Sequence, residues 1–178
     1  RDKGHTRNDF VQLVGLARSM ELTLSPTFIP FLPWTTRKGY LDLLQLLVKL
    51  ELVDYVAPVQ LSIRLLVPEG SRLLTVPMMR QHLIKFDAAA LCYQWSHPDP
   101  SMDLLHDRVS RVVETGEAEN KSRREIFEEV WRLAHEACGL KIPDLYQPGK
   151  FSAPIHVPCL SEPWYCCAEP TYEQLTGM

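Results

Sequence analysis

The stretch that decides the predicted fold is DYVAPVQLSIRLLVPEGS, residues 54–71. Within it, apolar side chains alternate with polar ones: Val59, Leu61, Ile63 and Leu65 against Gln60, Ser62 and Arg64. A period of two places the two sets on opposite faces of a β-strand. The sequence therefore predicts a strand here, followed by a turn at PEGS in which Gly70 supplies a positive φ.

A second strand is predicted upstream, at LTLSPTFIPF, residues 22–31, and it ends in the proline-rich loop PFLPWTT, residues 30–36. A helix is predicted before each strand, because Thr6 and the acid three residues later resemble a capping box and Thr36 can cap the next helix. This alternation predicts βα units of a parallel sheet. Because two parallel strands need further neighbours, we expect the rest of a larger α/β structure to precede Arg1.

The second half of the chain is predicted to be mainly helical. DAAALCYQWSHPDP, residues 87–100, holds one more short strand. Ser101 is predicted to cap a helix that ends near Gly116. A capping box at Ser122 begins another helix, and Gly139 fits the position just after its end. We expect these two helices to pack as an antiparallel pair.

These patterns divide the chain into three parts: βα units at residues 1–76, a mainly helical extension at 77–140 and a tail at 141–178. The tail carries six of the 14 prolines and shows little periodicity. We therefore expect it to be extended, either laid over a surface or without fixed structure.

Composition favours a soluble globular protein, with 46% hydrophobic and 23% charged residues in 178. A net charge of -3 gives no electrostatic reason to expect a nucleic acid or an anionic membrane as partner. No signal peptide is recognisable, and no apolar run is continuous enough to span a bilayer. Cys92 and Cys138 are not expected to be halves of a disulfide framework, which favours a reducing, cytoplasmic setting. His135 and Cys138 are expected to be packed or half-exposed helix residues rather than metal ligands.

Arg64 is the first candidate functional residue. It lies near the C-terminal end of its predicted strand, where functional groups gather in parallel barrels. A guanidinium fixed there binds a carboxylate or a phosphate in a bidentate fashion. The alternative is that this polar face is solvated or pairs with a structural acid.

The second candidate is the adjacent pair Cys166 and Cys167 in EPWYCCAEPT, residues 162–171. Neighbouring residues do not share a face of a helix or strand, so packing alone does not require two thiols here. Such a pair can close a strained, labile disulfide or capture a soft electrophile, and two ordinary tail cysteines are the plain alternative. A zinc site that includes His156 and Cys159 fits poorly, because structural zinc sites use paired ligands with spacings such as Cys-x₂-Cys.

Two parts of the chain together resemble the radical S-adenosylmethionine (radical SAM) proteins. KGHTRNDFVQLVGLARSMELTLSPTFIPFLPWTT followed by LVDYVAPVQLSIRLLVPEGSRLL is similar to the later βα units of a radical SAM barrel, although the family's loop glycines are replaced at Pro30 and Trp34. YCCAEPTYEQL resembles the end of the CUAEP/CCAEP-tail radical SAM proteins, residue for residue from Cys166 to Pro170. Relatives of that family carry selenocysteine at the position of Cys167.

The resemblance implies a fold and a set of site residues. The fold is α/β, the C-terminal βα units of a radical SAM (partial TIM) barrel with a helical region and an extended tail rich in proline and cysteine. Cys166 and Cys167 are the implied catalytic pair. Gln60, Arg64 and the backbone around Phe31 and Leu66 are the implied contacts of S-adenosylmethionine.

The family's cluster-binding Cys-x₃-Cys-x₂-Cys motif does not occur here, and it is expected upstream of Arg1. The [4Fe–4S] cluster and S-adenosylmethionine are therefore expected only in a longer parent protein. The implied partners are the upstream half of the same barrel, an unknown small-molecule or peptide substrate and, through an exposed strand edge, a second copy. The alternative function is a non-enzymatic thiol or soft-metal-binding module that uses Cys159, Cys166 and Cys167.

Overall fold

The computed structural model of the protein describes residues 6–143. Within this range the chain forms five α-helices and one pair of strands: α1 Arg7–Ser19, α2 Arg37–Lys49, α3 Pro77–Arg80, β1 Leu83–Asp87, β2 Cys92–Trp95, α4 Pro100–Ala118 and α5 Arg123–Ala137. Short 3₁₀ turns lie at Pro58–Leu61 and Arg72–Thr75. The predictions for Cys159, Cys166 and Cys167 fall outside the described residues.

The starts of three helices are fixed by side-chain caps, as predicted. The Thr6 hydroxyl accepts the N–H of Asp9, and the Asp9 carboxylate accepts the N–H of Thr6 at 2.6 Å. Ser122 and Glu125 form the same reciprocal pair at α5. Thr36 caps α2. Each cap satisfies backbone donors that the first helical turn leaves unpaired.

Helix α4 begins earlier than predicted, because Asp99 and not Ser101 is its N-cap. The Asp99 carboxylate accepts the Ser101 N–H at 3.0 Å, and Pro100 occupies the first helical position, which suits its fixed φ. The helix also runs past Gly116 to Ala118. The predicted cap at Ser101 is therefore wrong.

Both predicted positive-φ glycines are confirmed. Gly70 has φ 76°, and Gly139 has φ 65° directly after the end of α5. The Gly139 N–H donates to the Glu136 carbonyl at 2.9 Å, and the Leu140 N–H donates to the His135 carbonyl at 3.0 Å. This pair of bonds is a Schellman cap, which satisfies carbonyls that the last helical turn leaves free.

Neither of the two predicted parallel strands is regular in the described chain. Residues 22–30 form no strand, and the start of the second segment winds into the 3₁₀ turn at Pro58–Leu61. The physical reason is proline, which cannot donate to a ladder and whose fixed φ suits the start of a turn. One parallel bridge remains between Phe31 and Arg64, in which the Leu65 N–H donates to the Phe31 carbonyl at 2.9 Å. The partial barrel stays a prediction.

The short strand predicted within residues 87–100 is confirmed as β2. It pairs antiparallel with β1, which the sequence analysis did not predict. A backbone bond from the Tyr93 N–H to the Val67 carbonyl at 2.8 Å ties β2 to the segment after Arg64. Val67, Met79 and Trp95 form a small second core beneath this hairpin.

The main hydrophobic core is built from α1, α2, α4, α5 and the 3₁₀ turn at Pro58–Leu61. It contains residues from both predicted ranges, 1–76 and 77–140, so these ranges share one buried cluster. Helices α4 and α5 pack antiparallel, as predicted. A Cβ on Gly116 would lie 2.6 Å from Ile126, and Arg108 pairs with Glu136 at 2.9 Å nearer the other ends of the two helices. Among residues 6–143, no helix is long and apolar enough to cross a membrane.

Candidate functional site

Arg64 lies at the centre of a polar network in which the bridged segment, β2 and α4 meet. Its guanidinium donates from Nη1 to Asp103 Oδ1 at 2.8 Å and from Nη2 to the Trp95 carbonyl at 2.6 Å. The guanidinium carbon also lies 3.8 Å from the centre of the Trp95 ring, a cation–π contact. Only 12% of the Arg64 side chain is exposed, so these contacts are largely shielded from water.

Asp103, in the first turn of α4, joins Arg64 to the loop before that helix. Its second carboxylate oxygen accepts the His97 N–H at 2.9 Å. The His97 ring accepts the Asp99 N–H at Nδ1, so the proton is on Nε2, which donates to the Thr35 carbonyl at 2.9 Å. The network therefore connects the N-terminal ends of α2 and α4.

His106 flanks the network one turn further along α4. Its Nε2 lies 3.1 Å from the Ser62 carbonyl, and its ring meets the Phe31 ring edge to face at 4.9 Å between centres. Burial, reinforced by the positive charge of Arg64, lowers the pKa of His106 below its ordinary 6.5. At neutral pH the neutral imidazole thus donates its Nε2–H to Ser62.

The other implied cofactor residues are also engaged within the chain. The Gln60 side-chain oxygen accepts the Phe28 N–H at 2.9 Å. The Phe31 ring is buried, and its centre lies 4.8 Å from that of Tyr40. Leu66 is half-buried and brings no polar side chain.

Burial raises the pKa of the Tyr40 phenol, which donates to the Leu61 carbonyl at 2.9 Å. Tyr40 therefore stays neutral and acts as a buried hydrogen-bond donor. Its partner Leu61 belongs to the 3₁₀ turn, so the phenol also fixes that turn against α2.

In this arrangement, the Gln60 side-chain oxygen and both terminal nitrogens of the Arg64 guanidinium already have partners within the chain. A carboxylate of the cofactor would have to displace either Asp103 or the Trp95 carbonyl from Arg64. The observed contact with Asp103 fits the alternative interpretation of Arg64, in which it pairs with a structural acid. No catalytic step is assigned to these residues.

A separate open cleft of about 730 Å³ lies beside this network. It is lined by the N-terminal half of α2, by His97 and Asp99 from the loop before α4, and by Cys138 and Leu140 after α5. Its volume lies within the range of about 300–1,000 Å³ that is typical of ligand pockets.

The walls of this cleft carry side chains of both positive and negative charge. Arg37 pairs with Asp99 at 3.5 Å and donates to the Ala137 carbonyl at 3.0 Å, which holds α2 against the ends of α4 and α5. Lys38 and Gln45 are exposed. The pKa of the Cys138 thiol is raised, chiefly by burial and against the opposing effect of Arg37, so the neutral thiol predominates at neutral pH.

The described residues contain no cluster of three or more His, Cys, Asp or Glu side chains that could hold a metal ion. The expectation that His135 is a packed helix residue is confirmed, because it is 3% exposed and its Nδ1 lies 2.9 Å from the Trp131 carbonyl. Cys138 is half-buried, also as expected. The predicted catalytic cysteines are outside the part of the chain that the structure describes.

Asp103, His97 and the cleft were not predicted from the sequence. Asp103 falls in the first turn of α4, where acids are favoured by the helix dipole, so its sequence position alone suggested an ordinary helix-start acid. Only the correct placement of the N-cap at Asp99 would have shown that Asp103 faces back toward the loop.

No known protein family, curated protein or solved structure matches this chain.

Proposed function

We propose that this chain is the C-terminal part of a radical SAM enzyme, in which Cys166 and Cys167 act as a redox-active pair close to the substrate. The observation that carries the proposal is the run Cys-Cys-Ala-Glu-Pro at residues 166–170. In the family that this tail resembles, selenocysteine stands at the position of Cys167, which favours redox chemistry because a selenol is ionised at neutral pH and is a strong nucleophile.

Two features of the described residues support this proposal. The parallel bridge between Phe31 and Arg64 has the direction that neighbouring strands of a βα barrel require. Helix α1 and the residue that follows it also leave apolar side chains uncovered: Leu13 is 51%, Leu16 57% and Met20 59% exposed. An exposed apolar stripe of this kind is a surface that another part of a longer protein would cover.

The proposal requires the cluster and the S-adenosylmethionine site to lie mainly in the upstream part of the parent protein, since Gln60 and Arg64 are engaged within this chain. When bound, the cluster and S-adenosylmethionine supply a deoxyadenosyl radical. The contribution of this chain would be the thiol pair, acting as a reductant, a hydrogen-atom donor or a covalent holder of the substrate. A reducing, cytoplasmic setting would keep such a pair in its dithiol form.

The test uses the longer protein that includes the sequence upstream of Arg1, reconstituted anaerobically with iron and sulfide. We expect an iron–sulfur absorption band and release of deoxyadenosine from S-adenosylmethionine. Replacing Cys166 and Cys167 with serine should preserve the absorption band. Cys138→Ser, which changes a half-buried thiol outside the tail, is the matched control for the loss of any cysteine.

Absence of the iron–sulfur band in the longer protein would refute the proposal. In that case, stoichiometric binding of a soft metal ion such as Hg²⁺ by this chain would favour the thiol module instead. That binding should then disappear when Cys159, Cys166 and Cys167 are all replaced by serine.

A further inference from the structure

The cleft beside α2 lies where the described part of the chain ends. Cys138 and Leu140 line it, and the Trp131 indole N–H donates to the Pro143 carbonyl at 3.3 Å. This bond fixes the point from which the remaining 35 residues, 144–178, continue. Leu140 and Ile142 are 55% and 44% exposed, so the surface beside the cleft is apolar and uncovered by the described residues.

The chemistry of the cleft matches one segment of those remaining residues. Its lining includes the exposed side chains of Leu140 and Lys38, whereas Arg37 is paired with Asp99 and Asp42 adds a second carboxylate. The sequence EPWYCCAEP, residues 162–170, carries two aromatic side chains between two glutamates. Aromatic side chains bury about 150–250 Å² each and dominate such contacts, and the flanking carboxylates complement the positive charge of the exposed Lys38.

We propose that this cleft is the docking site of residues 162–170 of the same chain, with Trp164 and Tyr165 seated against Leu140. Reach is not limiting, because about 20 intervening residues can extend to about 70 Å. Docking stores the Cys166–Cys167 pair beside Cys138 and covers that thiol. When the segment is released, Cys166 and Cys167 are free to reach a site elsewhere. The cleft would thus be a storage site for these two thiols.

This inference does not rest on radical chemistry, because its test contains neither S-adenosylmethionine nor iron. The full 178-residue chain is treated with N-ethylmaleimide under reducing conditions, and the alkylation rate of each cysteine is followed by peptide mass spectrometry. Cys138 is the reporter, since it is half-buried in the cleft wall of the described fold. Cys92, which is 2% exposed, monitors whether the fold is intact.

We expect Trp164→Ala combined with Tyr165→Ala to raise the Cys138 alkylation rate about tenfold. That factor follows if the linker provides about 1 mM effective concentration and the bare segment binds with a Kd of about 0.1 mM. The matched control is Phe151→Ala, which removes a tail aromatic outside the segment and should leave the rate unchanged. Cys92 should remain slow in every variant.

A second arm tests the charges. Lys38→Glu should also raise the Cys138 rate, although a new carboxylate alone would slow alkylation by disfavouring the thiolate. Glu162→Lys with Glu169→Lys in that background should restore protection.

An equal Cys138 rate in the parent chain and in the double aromatic variant would overturn the inference. A Cys138 rate that falls with increasing protein concentration would overturn it too, because the cleft would then be covered by a second copy. Neither result bears on the iron–sulfur test of the longer protein.

Discussion

Replacing Arg64 by methionine should destabilise the fold by about 3 kcal/mol. The largely buried guanidinium makes three contacts, with the Asp103 carboxylate, the Trp95 carbonyl and the Trp95 ring. Removing one member of a buried ion pair typically costs about 3–5 kcal/mol. Two features place this pair at the lower end. Asp103 is 31% exposed, so water recovers part of the loss, and its other oxygen keeps the bond from the His97 N–H.

A double-mutant cycle with Asp103→Asn isolates the pair. Asparagine keeps an acceptor for His97 but loses the charge, so we expect a cost of about 2 kcal/mol for that change alone. Once Arg64 is gone, the Asp103 change should cost little, which gives a coupling free energy of about 2 kcal/mol.

The assay is urea unfolding of the full chain, followed by circular dichroism. With an m-value of about 2 kcal/mol/M, Arg64→Met should lower the unfolding midpoint by about 1.5 M. Arg111→Met on the exposed face of α4 is the matched control and should change the free energy of unfolding by less than about 0.5 kcal/mol. An Arg64→Met midpoint equal to that of the parent would refute a structural role for the guanidinium and return Arg64 to the candidates for ligand binding.

Three further predictions concern the helices and pH. Gly116→Ala should destabilise the fold by about 1–2 kcal/mol, because its new Cβ would lie 2.6 Å from Ile126. Gly15→Ala has open space around it and should stabilise the fold by about 0.5–1 kcal/mol. Thermal unfolding midpoints of the two variants that shift in the same direction would contradict this. Because burial lowers the pKa of His106 in the folded chain, His106 takes up a proton at a higher pH in the unfolded chain than in the folded chain. The free energy of unfolding should therefore fall as the pH drops below 6.5. His106→Phe should weaken that fall in urea midpoints measured above and below pH 6.5, and parallel profiles would exclude His106 as its source. Ser122→Ala should cost about 1 kcal/mol in chemical denaturation through loss of the α5 capping box, and Ser122→Thr should recover most of that loss. A Ser122→Ala midpoint equal to that of the parent chain would show that the cap contributes nothing.

Local features of the fold were predictable because both partners of each interaction lie within a few residues of one another. The capping boxes at Thr6 and Ser122 join residues three apart, and the turn at Gly139 depends on its own φ. The two predicted parallel strands are not regular in the described chain, for a related reason. In the second segment the period of two was present, but Pro58 begins a local 3₁₀ turn that takes up its first residues, Pro58–Leu61.

The candidate site divides in the same way. The sequence by itself determined four of the five helices in the described chain, the caps at Thr6, Thr36 and Ser122, the tail with its adjacent thiols and the resemblance on which the proposed function rests. Only the tertiary structure decided that Arg64 meets Asp103, 39 positions away, and that His97 reaches Thr35, 62 positions away. Whether a guanidinium is free for a ligand depends on which distant acid the fold brings beside it, and no pattern of neighbouring residues contains that information.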